Sequence, residues 1–182
     1  MIFDRAQSLA LTRQAPPQAQ GRIEYLNGDC RHDELPQGFD FIWLAAVSRI
    51  CTPQQCYDLF CRCFESLNPG GTLAICDYML EANGLKPPEA ALYAVNAMLT
   101  SPHGGVATRP QLENALAQAG FTGIFEAAPG RGRYEVLGAR KPATSASHQS
   151  PGRRYRPADK RELMRLLHEE QIDPARIDVS HI

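Results

Sequence analysis

Residues 39–77 most constrain what this chain can fold into. They hold two short apolar runs, Phe-Asp-Phe-Ile-Trp-Leu-Ala-Ala-Val at 39–47 and Thr-Leu-Ala-Ile-Cys-Asp at 72–77. Between the runs lie a helical-looking segment at 53–67 and an Asn-Pro-Gly-Gly break at 68–71. Two apolar strands around one amphipathic helix read as a βαβ unit with buried parallel strands. Parallel strands need a crossover helix and leave a ligand crevice at their carboxyl ends. Function is therefore expected first at residues 44–49 and 77–80.

With 182 residues, the chain is long enough for one domain burying about 70% of its unfolded surface. Its formal charge is −1 and its pI about 6.5. Nothing global draws it to nucleic acid or to an anionic membrane, and a small ligand is the better expectation. No apolar run nears the roughly 18 residues of a membrane span, and the N-terminus lacks a signal peptide's apolar core, so a cytoplasmic location is expected. Four of the six cysteines, Cys51, Cys56, Cys61 and Cys63, lie close together. They contain no Cys-x2-Cys spacing, and on a helix Cys56 and Cys63 share a face that Cys61 does not. The five histidines are scattered. Free thiols and no metal are expected.

Residues 1–4 read as the end of a strand closing on Asp4, and residues 5–15 as a helix stopped by Pro16 and Pro17. A second strand at 22–26 ends at Asn27-Gly28-Asp29, and residues 30–38 form a loop. Thr52 is the expected N-cap of the central helix, with Pro53 in its first position and Tyr57, Phe60, Phe64 and Leu67 as its core stripe. A helix at 88–99 follows, then a turn at 101–107 containing His103. Thr108 caps a helix at 109–119 that closes at Gly120. Apolar runs at 121–126 and 134–139 read as an antiparallel hairpin. The domain is placed at 1–140, a flexible linker at 141–157 and a helical tail at 158–182. The tail's Leu163, Leu166 and Leu167 need a surface to dock on. Arg153, Arg154 and Arg156 in the linker read as solvated.

Taken in order, several of these features resemble the class I S-adenosylmethionine-dependent methyltransferases, in the branch of small-molecule O-methyltransferases. The likeness is carried by Asp4, Gly28-Asp29, the strand from Phe39 with Val47, and Leu67-Asn-Pro-Gly-Gly before the strand ending at Asp77. It continues through Ala94-Val-Asn-Ala-Met-Leu and Ala119-Gly-Phe. A nucleotide-binding α/β protein of another family is the alternative. The resemblance implies an α/β fold with a Rossmann-like methyltransferase sheet, mostly parallel, with a C-terminal antiparallel hairpin. It implies S-adenosylmethionine as cofactor and a hydroxyl of a small, aromatic metabolite as acceptor.

Asp4 takes the place of the acid that holds the ribose hydroxyls, and Asp29 with Cys30 the place of the adenine contacts, Gly28 permitting the turn. Leu44, Ala45 and Ala46 would pass the methionine portion, while Met79, Asn96 and Met98 would line the acceptor pocket. Two departures stand out. The family's first strand and glycine-rich loop should precede Asp4, yet Met1 comes first, so the sequence reads as an N-terminally incomplete methyltransferase. The N-terminal region that would support a homodimer is missing with them. Second, Arg49 stands where many members carry a histidine general base, and arginine stays protonated. His103 is the only histidine near the expected crevice. A non-catalytic remnant or regulatory protein that binds a partner is therefore the competing reading.

Overall fold

The two apolar runs become neighbouring parallel strands of the four-stranded sheet in the computed structural model, which describes residues 1–12, 21–100, 104–128 and 134–143. The elements are β1 (Ile2–Asp4), α1 (Ala6–Thr12), β2 (Tyr25–Asn27), β3 (Phe39–Ala45) and a 3-10 turn (Ser48–Ile50). Then follow α2 (Pro53–Ser66), β4 (Leu67–Asp77), α3 (Pro88–Thr100), α4 (Arg109–Gln118), β5 (Thr122–Ala128) and β6 (Glu135–Arg140).

Strand β3 pairs with β4 in parallel, from Phe41 opposite Thr72 to Ala45 opposite Cys76. On its other edge β4 pairs antiparallel with β6, from Thr72 opposite Arg140 to Asp77 opposite Glu135, and β5 lies outside β6. A second, two-stranded sheet holds β1 and β2 in parallel. The fold is mixed α/β, and among the described residues the strands make two parallel and two antiparallel pairings in two sheets, where the sequence pointed to one mostly parallel sheet. Strand β2 is shorter than its apolar run because β1 offers it only Ile2, Phe3 and Asp4 as partners.

Helix α2 starts where the sequence places it. Thr52 Oγ1 accepts from Gln55 N, and the Gln55 side chain accepts from Thr52 N, a reciprocal capping box with Pro53 next in line. Its deepest face is Cys56, Leu59, Phe60 and Cys63. Tyr57 and Phe64 of the expected stripe are only half-buried. These residues join Leu73, Ile75, Leu112, Leu116, Phe121 and Leu137 in the main core.

The expected break at 68–71 is instead the first part of β4. Gly70 has φ +81°, and a Cβ on Gly71 would lie 3.2 Å from the Asp40 carbonyl oxygen. Glycine therefore lets the chain pass close beside the start of β3, where the register shifts between Phe39 and Phe41. Asn68 ties the junction by donating to Gly38 O at 3.1 Å and to Asp40 Oδ1 at 2.9 Å. Lys141 closes the other side: its Nζ donates to Phe64 O and Leu67 O, both at 2.6 Å, and lies 4.7 Å from the Phe64 ring centroid. It supplies the last turn of α2 with donors and a positive charge. The expected tail, and the linker beyond Ala143, lie outside the described residues.

Replacing Lys141 by Met keeps most of the stem packing but leaves two helix-end carbonyls without this donor. A loss of about 1–2 kcal/mol is expected in urea or thermal unfolding, with the far-UV spectrum unchanged at low temperature.

Candidate functional site

The carboxyl ends of β1 and β3 and the loop after β2 open onto one cavity of about 490 Å³. Asp4, Gly28, Asp29, Cys30, Leu44, Ala45 and Ala46, which the sequence assigned to a cofactor, all line it. Asp4 is held in place from two sides. Its carbonyl accepts from Gly28 N at 3.0 Å and its Oδ1 from Arg5 N at 2.7 Å. Gly28 is required by close approach, since a Cβ there would fall 2.3 Å from the Phe3 ring.

Asp29 is more occupied than the sequence suggested. Arg31 grips both of its oxygens, with Nε at 3.0 Å from Oδ1 and Nη2 at 2.6 Å from Oδ2. This pairing holds the Asp29 carboxyl well below the usual carboxylate range. Arg31, two residues along the same tight turn, carried no signal in the sequence beyond its proximity. Burial pushes the Cys30 thiol up to about 11, so it stays protonated and presents a neutral edge to the cavity.

The backbone turns sharply after β3. Ala46 has φ +57°, a left-handed conformation uncommon for a side-chain-bearing residue, and its N–H donates to Cys76 O at 2.9 Å. That turn carries the chain from the cavity wall into the 3-10 turn and sets Ser48 and Arg49 against the end of β4. Asp77 there is fully buried. It accepts from Ser48 Oγ at 2.7 Å, Arg49 N at 3.3 Å and Tyr78 N at 2.9 Å. Burial raises its pKa, while the Ser48 hydroxyl and the Arg49 charge oppose the rise.

Arg49 is 4% exposed. Its guanidinium lies 5.2 Å from the Tyr93 ring centroid, and its charge opposes the rise that burial gives the Tyr134 pKa, while its Nη1 is buried without a partner. Tyr78 stacks on Tyr93 at 4.3 Å and touches Tyr134 at 4.7 Å, completing an aromatic wall around the cation. Sequence reasoning placed Arg49 at a strand end but gave no sign of the three tyrosines, which come from β4's end, α3 and the approach to β6.

The remaining candidates are not gathered here. Met79 is 1% exposed and packs in the main core, and it is not among the residues that line this cavity. Asn96 and Met98 lie on the exposed face of α3. His103 lies outside the described residues. Cys51, Cys56, Cys61 and Cys63 are free thiols, and no cluster of three or more metal-ligating side chains occurs among the described residues. No described helix is long and apolar enough to cross a membrane.

This arrangement sits in a stretch that comparison places firmly. The O-methyltransferase domain family matches residues 1–122. The chain belongs to that family. Acetylserotonin O-methyltransferase of Bos taurus is 31% identical over 120 residues, covering 66% of this chain and 34% of the relative. L-tyrosine C(3)-methyltransferase of Streptomyces lavendulae is 33% identical over 101 residues, 55% of this chain and 28% of the relative. Among solved structures, human N-acetylserotonin methyltransferase in complex with SAM superposes with a TM-score of 0.66 at 25% identity. It covers 78% of this chain and 40% of that one. This O-methyltransferase-family chain thus spans about a third of the length of the curated relatives it matches.

Two outcomes are expected from the cavity wall. Asp29→Asn removes the charged grip of Arg31 and should cost about 1 kcal/mol at neutral pH. Because the native carboxyl is held below its unfolded value of about 3.9, its stabilisation is complete above that pH and fades as pH falls toward the native value. Wild type and variant should therefore converge in acid unfolding. Ala46→Gly relieves the left-handed strain and should raise stability by up to about 1 kcal/mol in thermal unfolding.

Proposed function

We propose that this chain binds S-adenosylmethionine at the mouth of the cavity and takes part in methyl transfer to a hydroxyl of a small aromatic metabolite. The observation that carries the reading is the convergence of Asp4, the Gly28–Cys30 turn and the Ala45–Ala46 end of β3 on that one cavity, within a member of the O-methyltransferase domain family. The donor set suits a nucleoside sulfonium. Asp4 offers carboxylate oxygen to ribose hydroxyls, Cys30 a neutral apolar edge to adenine, and the small Ala45 and Ala46 leave room for the backbone to approach the amino-acid portion. Asp29, already engaged by Arg31, shapes the turn and offers its side chain less freely than the sequence implied.

The cofactor, when bound, supplies an already activated methyl group, so the protein's task is to hold the acceptor in line and exclude water. Arg49 cannot remove the acceptor proton. It is a fixed cation that favours an ionised acceptor nearby, which suits phenols or enols acidic enough to ionise unaided near neutral pH. The Tyr78, Tyr93 and Tyr134 wall beside it suits an aromatic ring. That burial of Arg49 also favours the second reading, a non-catalytic chain that binds a partner, because Asp77, the carboxyl group beside the cation, is itself buried and already bonded to three donors.

Calorimetric titration of the 182-residue chain with S-adenosylhomocysteine separates the two. Saturable one-site binding, with Asp4→Ala weakening it about tenfold or about 1.4 kcal/mol, is the expected result. Absence of heat and of thermal stabilisation would sink the cofactor assignment and leave the partner-binding reading.

A further inference from the structure

The start of α2 is closed by two cysteines, in the positions where helices ordinarily place a pair of apolar side chains. Thr52 is the N-cap of α2 and its capping box is complete. The residue before such a cap and the fourth residue of the helix pack together as a hydrophobic staple. Those two residues here are Cys51 and Cys56. Both are buried, at 7% and 5% exposed, and both belong to the main core cluster. They also meet at one acceptor, since the Ser48 carbonyl oxygen lies 3.3 Å from Cys51 N and 3.6 Å from Cys56 Sγ.

The two thiols differ in character. The Cys56 thiol beside it lowers the Cys51 pKa; burial opposes this, and the positive charge of Arg31 adds to it. The positive end of the α2 dipole begins at the next residue, which also favours a thiolate. The same contact, together with burial, raises the pKa of Cys56. Burial also pushes Cys30 up to about 11, and Cys63 and Cys76 to about 12. Cys51 is thus disposed to attack and Cys56 to resolve, as in thiol pairs that oxidise together. Ile50, next to Cys51 in the chain, lines the cavity, which gives a small oxidant an approach from that side.

We infer that Cys51 and Cys56 are a site of reversible two-electron oxidation, a thiol pair that hydrogen peroxide converts to a disulfide across the first turn of α2. The Cys51 thiolate attacks one peroxide oxygen and the O–O bond breaks, giving a sulfenic acid and hydroxide, which takes up the proton that Cys51 had lost. The Cys56 sulfur then attacks the sulfenic sulfur. The S–S bond forms, the S–OH bond breaks, and the departing hydroxide leaves as water with the Cys56 proton. Two thiols are oxidised, and one peroxide is reduced to two waters. The new bond also takes the Sγ donor away from Ser48 O, on the turn that carries Arg49. This inference stands on the start of α2, independently of the methyl-transfer reading.

The test treats the full chain with hydrogen peroxide, blocks the remaining thiols with iodoacetamide and maps tryptic peptides by mass. Peptide 50–62 carries Cys51, Cys56 and Cys61. It should lose two hydrogens and take a single alkyl group, at Cys61. That change should run about tenfold or more faster than loss of the Cys63 or Cys76 thiol, and dithiothreitol should restore all three thiols of the peptide. Cys56→Ala should leave Cys51 as a sulfenic acid that dimedone traps, and Cys51→Ala should leave Cys56 unreacted. The wild-type map decides the matter even where a variant does not fold. Four outcomes would overturn the proposal. They are three alkylated cysteines in peptide 50–62, a disulfide that uses Cys30 or Cys61, a bond between two chains, and a rate advantage over Cys63 smaller than that expected.

Discussion

Everything in this fold hangs on β4. It is the long strand of the four-stranded sheet, paired along both edges between parallel β3 and antiparallel β6 and buried on both faces from Gly71 to Asp77. Leu73 and Ile75 face α2 and α4, where Leu59, Phe60, Leu112 and Leu116 complete the main core. Ala74 and Cys76 face the smaller cluster with Val136. Each fully buried large side chain there contributes roughly 1.5–3 kcal/mol relative to exposure. The period of two along β4 fixes the register, because a one-residue slip would exchange the two clusters.

Both ends of β4 are finished by polar groups from distant parts of the chain. At its start, Lys141 binds the carbonyls of Phe64 and Leu67, so the residue following β6 also closes α2. At its finish, Asp77 gathers a hydroxyl and two backbone donors. A buried carboxylate without those donors would cost several kcal/mol. With them, it anchors the turn after β3 to the end of β4. Arg109 plays a related part at the hairpin, pairing with Glu126 of β5 at 3.0 Å and Glu135 of β6 at 2.6 Å, so the start of α4 is tied to both strands.

Much of this was legible in the sequence because it is local. The Thr52 and Thr108 caps need only a hydroxyl and a glutamine three residues on. Gly120, with φ +99°, needs only the end of a helix. The strand-end residues Asp4, Asp29 and Ala45 fall at the cavity because a strand's carboxyl end is a place defined by chain order. What escaped was set by tertiary neighbours. The glycines at 70 and 71 read as a break, but they permit β4 to begin beside β3. Met79, expected at the acceptor pocket, joins the main core cluster together with Leu112 and Leu116 of α4. The tyrosine wall joins positions 78, 93 and 134, whose separations follow no helix or strand period.

The Ala46 turn explains why the cavity and the Arg49 cluster are neighbours with different characters. Up to Ala45 the chain is extended and offers small side chains to the cavity. One left-handed residue then reverses its path, and within three positions a cation is buried against aromatic rings. Burying that guanidinium is tolerable because the aromatic faces and Asp77 supply negative potential without bonding all its donors. The orphaned Nη1 is the remainder of that balance. The guanidinium is thereby fixed between the end of β3 and α3, and it joins the turn after β3 to the tyrosine wall.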